Sequence, residues 1–148
     1  MKEVTGNLWT YPADVRVITT NGFTKKNGEA VMGRGCALEA KERWPYLPKL
    51  LGSFIQAKGN LPAVYCLEGT FLLTFPVKHK WFEKADIQLI EQGAKVIAGD
   101  KFSDLLQNKR IVMPRPGCGN GQLDWNDVRP VLEPILDDRF HVITFGKE

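Results

Sequence analysis

Residues 111–125 read IVMPRPGCGNGQLDW, and this stretch decides the fold class. Ile111, Val112 and Met113 are a short apolar run that predicts a buried strand. Pro116 to Gln122 follows with glycine at 117, 119 and 121. Asn126 to Leu136 then predicts a helix, with Asn126 as its cap and Pro134 bending it. A strand that ends in a glycine-rich turn and feeds a helix exposes backbone N–H groups, and the helix dipole favours an anion there. Glycine lets the backbone approach that anion closely, because no Cβ intervenes.

A second stretch repeats the arrangement. Val31 to Ala37 reads VMGRGCA and runs into a helix predicted over Gly35 to Trp44, which Pro45 stops. Each loop alone reads as readily as a tight turn. Two of them at strand-to-helix junctions point to a ligand with two phosphates. Neither the GxxxxGK[ST] pattern of a phosphate-binding loop nor GxGxxG is present, so P-loop and dinucleotide folds are disfavoured.

The remaining elements surround these loops. Val4 to Trp9 and Val15 to Thr20 predict strands, and Asn21 to Met32 a loop. Leu47 to Ala57 predicts a helix. Ala63 to Leu67 and Thr70 to Phe75 predict a hairpin across Glu68-Gly69. Apolar spacing predicts a helix over Trp81 to Ala98, with a turn or helix over Lys101 to Gln107 and a closing strand over His141 to Phe145. Helices and strands alternate in the second half, whereas the first half mixes a hairpin with helices. The pattern predicts a single α/β domain over residues 1–148 built on a mixed sheet.

Composition narrows the chemistry. The chain has 148 residues with Lys+Arg 20 against Asp+Glu 17, a net charge of +3, three Cys and two His. That length supports a core without disulfide or metal staples. Cys36, Cys66 and Cys118 form no CxxC pair, and His79 and His141 are far apart, so neither a disulfide framework nor a metal site is expected. No stretch has the length of a signal peptide or membrane span, and a reducing cytosol is the expected compartment.

Candidate functional residues follow from position. Lys78 leaves the apolar end of FPVKHKW (75–81), where a partly desolvated amine acts as a nucleophile or electrostatic catalyst. The plainer reading is a solvated basic cluster at the N-terminus of the following helix, which is unfavourable for cations unless an anion joins them. Asn21 ends the second strand, where its amide suits a ribose hydroxyl or, equally, an Asx turn. Cys36 and Cys118 lie in the glycine loops and read better as small packing residues than as thiolates.

The order strand, Asn21, VMGRGCA, helix, Pro45, then FPVKHKW, then MPRPGCGNGQLDW, resembles the macrodomain family of ADP-ribose-binding modules. The resemblance covers essentially the whole chain. It is nearest to the branch of the terminal ADP-ribose glycohydrolase and the DarG-type antitoxins, which remove ADP-ribose from proteins or DNA. It implies a three-layer α/β/α sandwich with ADP-ribose in a crevice at a sheet edge. Carried over by position, Asn7 replaces an Asp that reads the adenine amino group, and Leu8 lies beside it. Asn21 meets the distal ribose. Met32, Gly33, Arg34, Gly35 and Cys36 face the diphosphate and distal ribose. Gly117, Cys118, Gly119, Asn120, Gly121, Gln122 and Leu123 form the second phosphate loop. Lys78 matches the catalytic lysine of this branch, while the loop Asp that assists it in the terminal ADP-ribose glycohydrolase is replaced here by Gly121, after Asn120.

The resemblance implies a monomeric hydrolase that cleaves ADP-ribose from DNA or protein at C1″, without metal or cofactor and without a membrane. Alternatives are an ADP-ribose 1″-phosphate phosphatase and a reader that binds ADP-ribose without turnover. Lys25, Lys26, Arg34, Lys78 and Lys80 would form a basic rim suited to a nucleic acid strand. The length fits one macrodomain with no room for a partner domain.

Overall fold

The computed structural model describes residues 1–145. Six strands form one sheet in the order β1-β6-β5-β2-β4-β3. They are β1 (Lys2–Thr5), β2 (Val15–Asn21), β3 (Ala63–Leu67), β4 (Thr70–Lys78), β5 (Ile111–Pro114) and β6 (Phe140–Thr144). Neighbouring strands run parallel except β3, which pairs antiparallel with β4 through the expected hairpin. The helices are α1 (Gly35–Arg43), α2 (Leu47–Lys58), α3 (Ile87–Ile97), α4 (Asp100–Leu106) and α5 (Trp125–Leu132).

Strand alternation assigns the two faces. Val15 and Val17 of β2 and Leu73, Phe75 and Val77 of β4 join a core with Ile90 and Ala94 of α3, Phe102 of α4 and Val128 of α5. Ile18 and Leu72 face the other way, onto Ala37 and Ala40 of α1 and Leu47 and Leu51 of α2. The result is the expected α/β/α sandwich on a mixed sheet. No helix of the described residues is long and apolar enough to cross a membrane.

Phe75 shows how packing positions β4. Its ring is fully buried, and a Cβ added at Gly93 of α3 would come within 3.2 Å of it. Truncating such a ring costs about 3–5 kcal/mol. The strand then runs past Pro76, although proline removes a ladder donor. The register shifts at that point: Thr20 pairs with Pro76 and Asn21 with Lys78. An irregularity of this kind is where a sheet tolerates proline. It carries the strand on to Lys78, three residues beyond the expected Phe75.

Several expected boundaries move. β1 ends at Thr5 rather than Trp9, because the chain turns at Asn7, whose carbonyl accepts from the Thr10 and Tyr11 amides. The third helix starts at Ile87, not Trp81, since the Asp86 carboxylate caps it by accepting from Gln88 N. Lys78–Trp81 is therefore a strand end and turn, not a helix N-terminus. The last helix begins at Trp125, capped by Asp124 rather than Asn126. It ends at Leu132, before Pro134, and the proline inside it is Pro130. The closing strand spans Phe140–Thr144.

Candidate functional site

The carboxyl ends of parallel strands open onto a crevice, as the doubly wound topology favours. Asn21 ends β2, Lys78 ends β4 and Pro114 ends β5, and all three line a space of about 1090 Å³. The two glycine loops close over the strand ends. Gly33, Arg34, Gly35 and Cys36 come from one, and Gly117, Cys118, Gly119, Asn120 and Gly121 from the other.

The first loop leads directly into α1. Arg34 is the N-cap residue in an extended conformation, and no side chain caps the helix. The first amides of α1 therefore lack intrahelical partners and lie in the crevice wall with the positive end of the helix dipole. Gly35 has φ +56°, a left-handed conformation that favours glycine, and a Cβ there would sit 3.1 Å from Asn120 Nδ2. The Asn120 side chain thus rests against the start of α1, and the two loops meet across the crevice. The second loop is held from behind: Leu123 N donates to Gly117 O at 2.9 Å, and Ala85 N donates to Gly121 O at 3.0 Å.

Lys78 sits where both loops meet the end of β4. Its Nζ donates to the carbonyls of Trp81 and Asn120, each at 3.3 Å. Two carbonyls occupy two of the three positions on the nitrogen and leave one free. Burial, then the nearby Arg34 guanidinium, holds the amine below the usual lysine range. Both effects disfavour the charged form. Among the described residues no carboxylate lies within ion-pair distance of Lys78. The carboxylate in the crevice wall is Glu39 of α1, and its Oε1 accepts from Trp9 Nε1 at 3.2 Å.

Asn21 makes the expected Asx turn at the edge of the crevice. It lines the crevice, while its Oδ1 accepts from Phe23 N and its Nδ2 donates to Val31 O, both at 3.0 Å. Each partner leaves one further hydrogen-bonding position on the amide. The two cysteines are poor nucleophiles. Burial pushes the Cys36 thiol up despite its contacts with Thr19 N and Oγ1, and burial also pushes Cys118 up. A thiolate is disfavoured at both.

Four expected residues lie outside the crevice wall. Asn7 is exposed, and its Oδ1 accepts from Trp9 N at 2.8 Å, while its neighbours Gly6 and Leu8 face the crevice. Met32 is buried beneath the first loop in the core shared with α1 and α2. Gln122 adopts φ +66° at the bend of the second loop, and Leu123 packs into the core with α3 and α5. Leu8 lines the crevice as expected, and residues that sequence reasoning did not assign, Ala37, Ile143, Phe145, Phe23 and Trp81 among them, complete the wall. Leu8, Ala37, Ile143 and Phe145 make an apolar end beside Glu39, and Phe23 and Trp81 stand at the lysine end. Phe145 was expected to end the closing strand, but the strand stops at Thr144, and nothing local in the sequence marks Phe145 as part of the crevice wall.

No family model matches the chain. A DNA ADP-ribosyl glycohydrolase of Thermus aquaticus is 26% identical over 93% of this chain, which spans 38% of that relative. The macrodomain of Mycobacterium tuberculosis DarG superposes with a TM-score of 0.76 at 26% identity over 100% of both chains. Thermosipho africanus DarTG in complex with ADP-ribose superposes at 0.76 with 23% identity, over 95% of this chain and 40% of that one.

Proposed function

We propose that this chain, a macrodomain of the DarG type, is an ADP-ribosyl glycohydrolase that removes ADP-ribose from DNA or protein by cleavage at C1″. Support comes from the names of its relatives and from the ADP-ribose held by the Thermosipho structure. The observation that carries the catalytic part is Lys78, a partly desolvated amine fixed by the carbonyls of Trp81 and Asn120 where the two loops meet.

In this reading the uncapped start of α1 and the glycines of the second loop hold the diphosphate through backbone N–H groups. The apolar end at Leu8, Ala37 and Phe145 takes the adenine. Asn21 orients the distal ribose with the free positions on its amide. Binding energy from these remote parts holds C1″ against Lys78, a positioning effect that contributes much of a barrier reduction. The neutral amine attacks C1″. The C–N bond forms as the bond to the acceptor breaks, and the acceptor leaves with the electron pair and takes up the proton the amine loses. Water then attacks C1″, and the C–N bond breaks with its electron pair returning to Lys78. ADP-ribose leaves with the hydroxyl of the water at C1″, while the other proton of the water goes to the lysine nitrogen. A protonated amine would instead stabilise charge on the departing acceptor. Neither route draws on a metal or cofactor.

The test is release of ADP-ribose from ADP-ribosylated DNA and ADP-ribosylated protein. Wild type releases it, and Lys78→Ala releases it at least a hundredfold more slowly. Equal rates would overturn the role of Lys78. A second reading, a reader without turnover, is favoured by the absence, among the described residues, of a carboxylate within ion-pair distance of Lys78. Tight ADP-ribose binding with no release from either substrate would select it.

A further inference from the structure

Beyond the lysine end of the crevice the chain turns through residues 79–86 and presents two large aromatic rings to solvent. Trp81 is 43% exposed and Phe82 61%. The rings meet edge to face at 5.4 Å with an interplanar angle of 88°, and Lys80 Nζ lies 5.9 Å from the centre of the Phe82 ring. Adjacent α3 does not cover them, because its buried residues Ile90, Gly93, Ala94 and Ile97 face the sheet. The carbonyl of Trp81 holds Lys78, so this pair of rings is continuous with the crevice mouth.

Cations stand around the rings. Lys25 and Arg34 line the crevice, and Lys80 stands in the turn. Among the described residues none of these three has a carboxylate within ion-pair distance. The turn also carries two acids, each held in a local contact. Glu83 Oε1 accepts from Lys80 N, and Asp86 pairs with His79 at 2.8 Å while capping α3.

We propose that Trp81 and Phe82 form a stacking ledge for an unpaired base of single-stranded nucleic acid next to the ADP-ribosylated nucleotide, with Lys25, Arg34 and Lys80 drawing in its phosphates. Exposed rings interleaved with unpaired cations are the pattern that holds single strands, since every base has a π-face and every linkage a negative charge. A duplex keeps its bases stacked on one another and offers no free face. An acidic peptide would meet the cations but leave the rings uncovered. The inference rests on the glycohydrolase reading, because that reading puts the acceptor at the Lys78 end.

Fluorescence anisotropy with a labelled ADP-ribosylated single-stranded oligonucleotide tests it, in a Lys78→Ala background that keeps the bond intact. Trp81→Ala and Phe82→Ala are each expected to raise the oligonucleotide Kd roughly tenfold, the loss seen when a stacking aromatic is truncated. Trp81→Phe restores binding to within about threefold, because the phenyl ring still stacks. Phe82→Ala leaves the Kd for free ADP-ribose unchanged, and added salt weakens the oligonucleotide more than free ADP-ribose. Unchanged oligonucleotide affinity in both alanine variants overturns the ledge. So does an ADP-ribosylated peptide that loses as much from Phe82→Ala as the oligonucleotide does. Failure to bind free ADP-ribose at all would instead overturn the glycohydrolase reading. Free ADP-ribose bound as tightly as the oligonucleotide would overturn the ledge alone.

Discussion

Gly33→Ala separates a glycine kept for the ligand from one kept for the fold. Gly33 lines the crevice, its φ lies outside the left-handed region, and an added Cβ would meet no protein atom within 4 Å. The folded chain therefore accepts alanine without strain. The substitution restricts the unfolded chain and stabilises by about 0.4–1 kcal/mol, which raises Tm by roughly 2–4 °C for a chain of this size. A phosphate held by adjacent N–H groups, however, would compete with the new methyl. Displacing one charge-assisted hydrogen bond costs about 1.5–3 kcal/mol, or roughly 10–150-fold in Kd. Gly121→Ala is the contrast. A Cβ there would fall 2.4 Å from Gly117 O and 2.8 Å from Ala85 Cβ, where backbone cannot yield. Overpacking of about 1–3 kcal/mol lowers Tm by roughly 4–12 °C. Calorimetric titration with ADP-ribose and a thermal melt read both quantities. Gly33→Ala that binds ADP-ribose as wild type does would refute a phosphate against this backbone.

Other outcomes follow from the same geometry. Arg34→Ala removes a cation that disfavours the charged Lys78. If the neutral amine attacks, kcat rises with pH through the lysine titration, and the Arg34→Ala limb moves to higher pH; a limb that stays fixed contradicts the coupling. Asp86→Ala removes the cap of α3 and the partner of His79. It lowers stability by about 1 kcal/mol, and Tm by roughly 4 °C in a melt. The His79 contact holds the Asp86 carboxyl below the usual range, so its contribution is present above the unfolded value of 3.8 and is lost as pH falls through the folded one. Wild type therefore loses more Tm than Asp86→Ala between pH 5 and roughly pH 3. Chelator and thiol-alkylating reagents at neutral pH leave the hydrolysis rate unchanged, because the proposed chemistry uses no metal and burial raises the Cys36 and Cys118 thiols.

The architecture was legible where local pattern and tertiary role agree. Val15–Asn21 and Ile111–Pro114 are mostly β-branched or apolar and mostly buried, and both glycine loops lie at strand-to-helix junctions. The reading failed where packing overrode a local signal. The strand expected to stop at Phe75 passes Pro76, because the shifted register lets β4 continue to Lys78. Phe82 fitted the apolar period of the next helix, but it is exposed and the helix waits for Asp86. Asn7 matched a ligand-reading position by resemblance, while its side chain closes its own turn onto Trp9 N. The apolar end of the crevice combines Leu8, Ala37, Ile143 and Phe145 from four separate segments, a juxtaposition set by sheet order rather than by spacing.

The most direct measurement is a crystal structure of the chain with ADP-ribose bound. The account predicts the diphosphate between Gly33–Gly35 and Gly119–Gly121, with Lys78 Nζ within about 3.5 Å of C1″. A bound ADP-ribose whose C1″ lies beyond the reach of Lys78 would contradict it.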